Sequence, residues 1–264
     1  MKTKLALIGC GNMGGAIFLG LSKKKHSFEF FYYDPDLEKS GRLAGQTKGT
    51  AVKAMADLKS CDLFLLAVKP QQYDAMAAEL KNALHAEAKI ISVVTGISTP
   101  TLQKTLGVMP IARVMPNTPC LIGEGACAIF FTAMGPAEQR IVKEIFSAVA
   151  LVFEVGSDDA IDASTAVIGS GPAYFFEIAR IIAGKYATLG IDPAAAQTIV
   201  KQVVRGSALL MQQSTDSPET LRDKVTSKGG TTFAALEALR SHRFEEILNA
   251  AVEAAYQRAK ELGR

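Results

Sequence analysis

The chain has 264 residues, of which 48% are apolar, and a formal net charge of +3. That length accommodates one large or two modest domains with ample core, and so mild a charge excludes a protein built around polyanion binding. Its one basic run is Lys23-Lys24-Lys25, and its longest apolar candidate, residues 173–187, is interrupted by Glu177, Arg180 and Lys185, so no stretch approaches membrane-spanning length. Cys10, Cys61, Cys120 and Cys127 have neither metal nor disulfide spacing, and His26, His85 and His242 are scattered. The N-terminus leads straight into a strand, without a signal or transit pattern. The expectation is a cytoplasmic, metal-free enzyme with no nucleic-acid partner and no membrane partner.

Residues 4–9 form a short apolar run suited to a buried parallel strand. Gly9-Cys10-Gly11-Asn12-Met13-Gly14 follows at once, and Ala16, Ile17, Leu19 and Leu21 then make a helical face. G-x-G-x-x-G between strand and helix predicts a dinucleotide site. Gly9 makes the tight turn, Gly11 lets a pyrophosphate approach and Gly14 lets helix and strand pack closely, with Asn12 and Met13 completing the loop. Residues 28–33 form a second apolar segment ending at Asp34, twenty residues after Gly14. A carboxylate there hydrogen-bonds a ribose 2′-hydroxyl. By charge it repels a 2′-phosphate, so NADH is expected to serve at least as well as NADPH. Lys39 and Arg42 either offset that repulsion or form a solvated helix face.

Further strands are predicted at 62–68, 89–94 and 111–115, with helices at 73–84 and 99–106 between them. Repeated strand–helix units point to a parallel, doubly wound sheet. Two more strands, 126–132 and 151–155, flank a helix beginning near Pro136. Ala67, Val68, Lys69 and Pro70 leave one strand and Asn117 leaves another, at the carboxyl edge where open α/β sheets bind ligands. Lys69 reads equally as a surface cation, and Asn117 as an Asx-turn residue.

Beyond residue 157 the pattern becomes helical, over 172–189, 193–213, 218–225, 231–241 and 244–262. Pro172, Pro193 and Pro218 stand at helix starts and Gly190 just past a helix end. The reading is therefore a Rossmann-type α/β domain over residues 1–160 followed by an all-helical domain over 161–264. Helices 172–189 and 193–213 are apolar beyond a single stripe, which calls either for a partner subunit or for a well-covered internal position. Thr-Ser-Lys-Gly-Gly-Thr-Thr at 226–232 opens the helix carrying Phe233, Leu236 and Leu239. Read one way, Ser227, Gly229, Gly230, Thr231 and Thr232 form an anion-binding end, with the Thr232 hydroxyl reaching a second atom of a small ligand. Read the other way, it is a glycine-rich turn with a Thr N-cap.

Five motifs taken together resemble those of the pyrroline-5-carboxylate reductase family. They are Gly-Cys-Gly-Asn-Met-Gly at 9–14, Ala-Val-Lys-Pro at 67–70, Arg-Val-Met-Pro-Asn-Thr-Pro at 113–119, Gly-Ser-Gly-Pro-Ala-Tyr at 169–174 and Lys-Val-Thr-Ser-Lys-Gly-Gly-Thr-Thr at 224–232. The resemblance implies a Rossmann domain followed by an all-α dimerisation domain, NADPH or NADH as cofactor, and 1-pyrroline-5-carboxylate as substrate. It also implies a homodimer or a higher ring of dimers, with a site shared between subunits. Carried onto this chain, it puts the substrate carboxylate on backbone N–H groups of residues 227–231 and the ring nitrogen on the Thr232 hydroxyl. The chain departs from the family pattern at Lys228, where proline is common, and before Pro218, where Asp216 is the one acidic residue in place of a glutamate. A 3-hydroxyacid dehydrogenase, which also joins a Rossmann domain to helices, carries a catalytic lysine soon after its second glycine motif. Here none follows Gly171 before Lys185. Nothing marks the flavin pocket of a deazaflavin-dependent enzyme, and a non-catalytic nicotinamide sensor has no need of the 229–232 segment.

Overall fold

The computed structural model describes residues 2–107 and 109–262; Met1, Val108, Gly263 and Arg264 lie outside the described residues. The described chain falls into two compact units, one running to Pro172 and resuming at Ala254, the other spanning Ala173–Glu253.

The first unit is built on eight strands: β1 (Thr3–Ile8), β2 (Phe28–Tyr33), β3 (Thr50–Ala51), β4 (Leu63–Leu66), β5 (Lys89–Ser92), β6 (Ile111–Met115), β7 (Gly125–Thr132) and β8 (Ala150–Glu154). Their order in the sheet is β3-β2-β1-β4-β5-β6-β7-β8. Alternate side chains of each strand feed opposite faces. Leu5, Leu7, Leu63 and Leu65 pack with Ile17, Phe18 and Leu21 of α1 (Asn12–Ser22), Leu43 of α2 (Leu37–Thr47) and Phe146 of α5 (Pro136–Ser147). Ala6, Ile8, Phe64 and Leu66 pack on the other side with Tyr73 and Met76 of α3 (Tyr73–Leu80) and Leu102 of α4 (Thr99–Leu106). Winding reverses between β1 and β4, so a ligand crevice opens where their carboxyl ends part.

Three features differ from the sequence reading. Strand β7 runs antiparallel to β6, because only residues 116–124 join them and a parallel return needs a longer crossover. Helix α5 then returns β8 parallel to β7. Second, the helix face read at Lys39 and Arg42 extends to a full helix, Leu37–Thr47, its N-terminus capped by Asp36, which accepts from the N–H groups of Glu38 and Lys39. Third, residues 158–169 are helical, as α6 (Asp158–Ser164) and one π-helical turn, Thr165–Gly169, running into α7 (Gly171–Thr188).

Charge, more than apolar surface, holds α6 in place. Arg113 of β6 is 1% exposed. Its Nη1 donates to Asp158 Oδ1 (2.8 Å) and Nη2 to Asp162 Oδ1 (2.5 Å). Asp158 also accepts from the N–H of Thr99 (3.0 Å) and from the Thr99 hydroxyl, which ties the start of α4 to the same cluster. The end of α11 (Phe244–Leu262) joins this region: the Tyr256 hydroxyl donates to the Asp159 carboxylate (2.9 Å), and Lys260 pairs with it at 3.3 Å.

The second unit comprises α7 from Ala173, α8 (Pro193–Gln213), α9 (Pro218–Lys224), α10 (Thr231–Ser241) and α11 to Glu253. Among its described residues the buried apolar ones are Ala183, Ala196 and Val200, whereas Phe176 is 68% and Val203 60% exposed. Three small or medium side chains do not make a core for some eighty residues, so this unit does not close on itself. The helical run Asp158–Thr188 is 31 residues long and contains an 18-residue window with a mean hydropathy of 1.2, long and apolar enough by length and composition to cross a membrane. The sequence reading expected no such stretch; the added turns of α6 and the π segment supply the length. Glu177 and Arg180, paired at 2.6 Å on its exposed surface, interrupt that apolar face with charge.

Replacing Arg113 by methionine leaves Asp158 and Asp162 without their common cation. The expected cost is about 3–5 kcal/mol of unfolding free energy, read from denaturant titration of the wild type and the R113M variant. A change below about 1 kcal/mol contradicts the account of α6.

Candidate functional site

At the exit of β1 the backbone leaves no room for a side chain. Gly9 has φ of +93°, and a Cβ built on it meets the carbonyl carbon and oxygen of Ala67 at 2.8 Å. The Gly9 N–H donates to Tyr33 O (2.9 Å) and the Ala67 N–H to Ile8 O (2.8 Å), so the ends of β1, β2 and β4 are drawn together at this residue. Gly14 is equally confined: a Cβ there lies 2.7 Å from Gly9 O and 2.8 Å from a Leu7 methyl, which is how α1 packs onto β1. Gly11 is the opposite case. A Cβ there meets nothing within 4 Å, and Gly11 is the N-cap of α1 without a side-chain cap. The first N–H groups of α1, those of Asn12 and Met13 among them, are left for an anion in the open space before them. The loop fits the pyrophosphate of a dinucleotide by this geometry.

Asp34 does more than the sequence reading assigned to it. Its Oδ2 accepts from the Cys10 N–H (2.8 Å) and its Oδ1 from the Asp36 N–H (2.9 Å). The carboxylate therefore ties the glycine loop to the β2 exit. A carboxylate has about four lone-pair directions, which leaves capacity for a ribose hydroxyl. Burial, and next the charge of Asp34, push the Cys10 thiol up to about 12, so it stays neutral beneath the loop. Lys39 pairs with Asp36 at 3.1 Å on the exposed surface of α2; its ammonium is already engaged by a carboxylate.

A cleft of about 610 Å³ runs along this edge, and its walls include Gly9, Gly11, Asp34, Ala67, Val68 and Lys69. Six predicted residues are thus brought together. Pro70 begins the turn Pro70–Gln72 just beyond, and the exposed Lys69 is its N-cap. Asn12 faces a second cavity, of about 630 Å³, on the α1–α2 side of the loop, with Leu121 and Ile122 opposite. Asn117 lines neither cavity. Its Oδ1 accepts from the Ala126 N–H (3.0 Å), which pins the short β6–β7 connection. The cleft also has walls from Tyr33, Met55, Met76 and Glu79, which sequence reasoning missed. Tyr33 adjoins Asp34 and offered a signal; the other three carry no motif.

The end formed by residues 227–232 belongs to the second unit. Gly229 has φ of +72°, and a Cβ on Gly230 would lie 2.4 Å from the Ser227 hydroxyl oxygen. The Gly230 N–H donates to Ser227 O (3.0 Å). Gly230, not a threonine, is the N-cap of α10, and no side chain caps this helix. The N–H groups of its first turn are open to an anion, with the half-buried Thr232 in that turn. Asp216 pairs with Lys224, whose ammonium holds its carboxyl below the usual range. Lys228 is exposed.

Because Gly9 is confined by backbone and not by a flexible side chain, Gly9→Ala is expected to displace the loop at a cost of about 1–3 kcal/mol. Calorimetric titration should show at least tenfold weaker binding of NADH and NADPH alike. Unchanged affinity contradicts the assignment of the loop.

A family model described as pyrroline-5-carboxylate reductase dimerisation matches residues 158–262. A second, described as NADP oxidoreductase, coenzyme F420-dependent, matches residues 4–96, the glycine-loop half of the sheet. Pyrroline-5-carboxylate reductase of Pseudomonas aeruginosa is 34% identical over 98% of this chain and 96% of its own. The solved structure of a pyrroline-5-carboxylate reductase from Coxiella burnetii has a TM-score of 0.93 at 32% identity and is covered in full, as is this chain. That of Plasmodium falciparum pyrroline carboxylate reductase with NADP bound has a TM-score of 0.85 at 28% identity, over 99% of this chain and 98% of its own. With a relative at this identity spanning nearly the whole of both chains, and both of its halves matched in order, this chain belongs to the pyrroline-5-carboxylate reductase family.

Proposed function

We propose that this protein reduces 1-pyrroline-5-carboxylate to L-proline with NAD(P)H, the last step of proline biosynthesis, in the cytoplasm. The observation that carries the substrate assignment is the uncapped start of α10, entered through Gly229 and Gly230. A small imino acid offers what such an end binds: a carboxylate for the open N–H groups and a ring nitrogen for a nearby hydroxyl. Domains are assigned as residues 1–160 for the dinucleotide and 161–264 for assembly and substrate.

When bound, NAD(P)H supplies the hydride that the imine carbon accepts. The chain's own task is alignment, since a protonated cyclic imine is already electrophilic and needs no covalent nucleophile. The open N–H groups behind Ser227, Gly229 and Gly230, with Thr231, hold the carboxylate. The Thr232 hydroxyl hydrogen-bonds the ring nitrogen and keeps its proton in place, with water as the proton source. Gly9, Gly11, Asn12, Met13 and Gly14 hold the pyrophosphate, Asp34 the ribose, and residues 67–70 the nicotinamide edge, while Asn117 serves to pin the β6–β7 connection. These contributions are proximity and electrostatic positioning. The exposed apolar helices of the second unit are covered by a second copy, giving a homodimer with a site shared between subunits and, further, a ring of dimers. The dimerisation match over residues 158–262 supports that cover over a lipid one.

Oxidation followed at 340 nm with pyrroline-5-carboxylate tests this directly. The wild type should turn over with either cofactor, with kcat/KM for NADH at least equal to that for NADPH because of the Asp34 charge. Thr232→Ala should lower kcat about 10²-fold with the cofactor KM unchanged, and Lys228→Pro should leave turnover largely intact. Unaltered kinetics in T232A remove the hydroxyl from the reaction, and a large NADPH preference removes the role of Asp34 in cofactor choice. Sedimentation equilibrium should show a dimer or a multiple of it; a monomer contradicts the covered helices.

A further inference from the structure

The connection from β5 to α4, residues 93–98, leaves the carboxyl edge of the sheet beside the β4 exit, and the proposed function gives it no part. It is fixed at its start, middle and end. At the start, the Val93 N–H donates to O of Leu66 (3.0 Å), the residue before Ala67. At the end, Asp158 holds Thr99 through its N–H (3.0 Å) and its hydroxyl. In the middle lies the buried Gly96, with φ of +79°. A Cβ built there meets the Leu262 Cβ at 2.7 Å, its carbonyl carbon at 2.8 Å and its oxygen at 2.9 Å. The last turn of α11 therefore lies directly against this backbone, where glycine fits and adopts the positive φ without strain. That turn has ties of its own, since the Tyr256 hydroxyl and the Lys260 ammonium both hold Asp159. Adjacent carboxylates at the start of α6 thus fix the loop and the helix end that presses on it.

We infer that the last turn of α11 is a buttress for the β5 exit, and that Gly96 and Leu262 are positioning residues for hydride transfer. This rests on the proposed reaction and on residues 67–70 as the nicotinamide edge. The β5 exit is joined to that edge by the Val93–Leu66 hydrogen bond, so a displacement at Gly96 passes to Leu66 and Ala67. Hydride transfer responds steeply to such a displacement, because a misplacement of about 1 Å costs about 10²-fold in rate. The grip on pyrophosphate does not respond in the same way. The glycine loop is held separately, by the Gly9 N–H on Tyr33 O and the Cys10 N–H on Asp34. The buttress acts on the alignment of the reacting carbon and leaves the anchoring of the cofactor alone.

The test uses two changes and their combination: Gly96→Ala, which drives a methyl into Leu262, and a chain ending at Glu261, which removes the buttress. Each protein is assayed for kcat with 1-pyrroline-5-carboxylate and NADH. Each is also titrated calorimetrically with ADP-ribose, which carries the pyrophosphate but no nicotinamide. Either change alone should lower kcat about tenfold or more, with the affinity for ADP-ribose unchanged. In the chain ending at Glu261, adding G96A should cost little more, because the methyl no longer meets Leu262; changes at residues in contact are non-additive in this way. Unchanged kcat in either single variant overturns the inference. So does an ADP-ribose affinity that falls in step with kcat, the mark of general loosening, and so do two effects that simply multiply. A wild type that binds ADP-ribose but does not turn over overturns the proposed reaction and this inference with it, an outcome distinct from the others.

Discussion

The first unit depends on one close approach. Where β1 ends, Gly9 lies so near the backbone of Ala67 that no side chain fits between them. That contact brings the exits of β1 and β4 together at the point where the sheet reverses its winding. From it follow the direction in which α1 leaves, the opening in front of Gly11 and the line of the cleft toward β2. Asp34 closes the arrangement from the other side by accepting from the Cys10 and Asp36 N–H groups. A residue whose type suggests recognition of a ribose is here also a brace for the glycine loop.

The second unit is organised by what it lacks. Its helices leave Phe176, Val203 and comparable residues exposed, and α10 starts without a side-chain cap. Each is a deficit in an isolated chain. Apolar faces require cover, and open N–H groups require an acceptor. Under the proposed function a second copy and a carboxylate ligand would satisfy both, so that the local choices that leave the monomer incomplete would serve an assembled enzyme. The first unit, by contrast, buries most of its apolar side chains in two continuous cores either side of its sheet.

Much of this was legible in the residues. The buried strands announced themselves as apolar runs, and Pro193 and Pro218 marked helix starts that the structure keeps. The order of Gly9, Gly11, Gly14 and Asp34 was enough to locate the cleft, because each role there depends on residue type and local spacing. Contacts between distant parts of the chain were not legible. Nothing in the sequence says that the Asp34 carboxylate meets the Cys10 N–H, that Arg113 spans to Asp158 and Asp162, or that Glu79 arrives beside Tyr33. The antiparallel turn of β7 was hidden because strand direction depends on the length of the connection at 116–124, not on the strand's own pattern. Helix α6 was hidden because a buried ion-pair cluster holds it, with Ile161 its one fully buried apolar side chain. The threonines at 231 and 232 suggested a cap, but the chain turns one residue earlier, at Gly230, and so leaves the N–H groups open.

The central claim is that two helix starts divide the ligands between them, α1 taking the dinucleotide and α10 the imino acid. A crystal structure of the protein with NADPH and L-proline tests it most directly. The account predicts pyrophosphate oxygens on the N–H groups of Asn12 and Met13. It also predicts the proline carboxylate at the first turn of α10, with its ring nitrogen within hydrogen-bonding distance of the Thr232 hydroxyl. Proline bound away from α10, or a dinucleotide bound away from the Gly9–Gly14 loop, would contradict it.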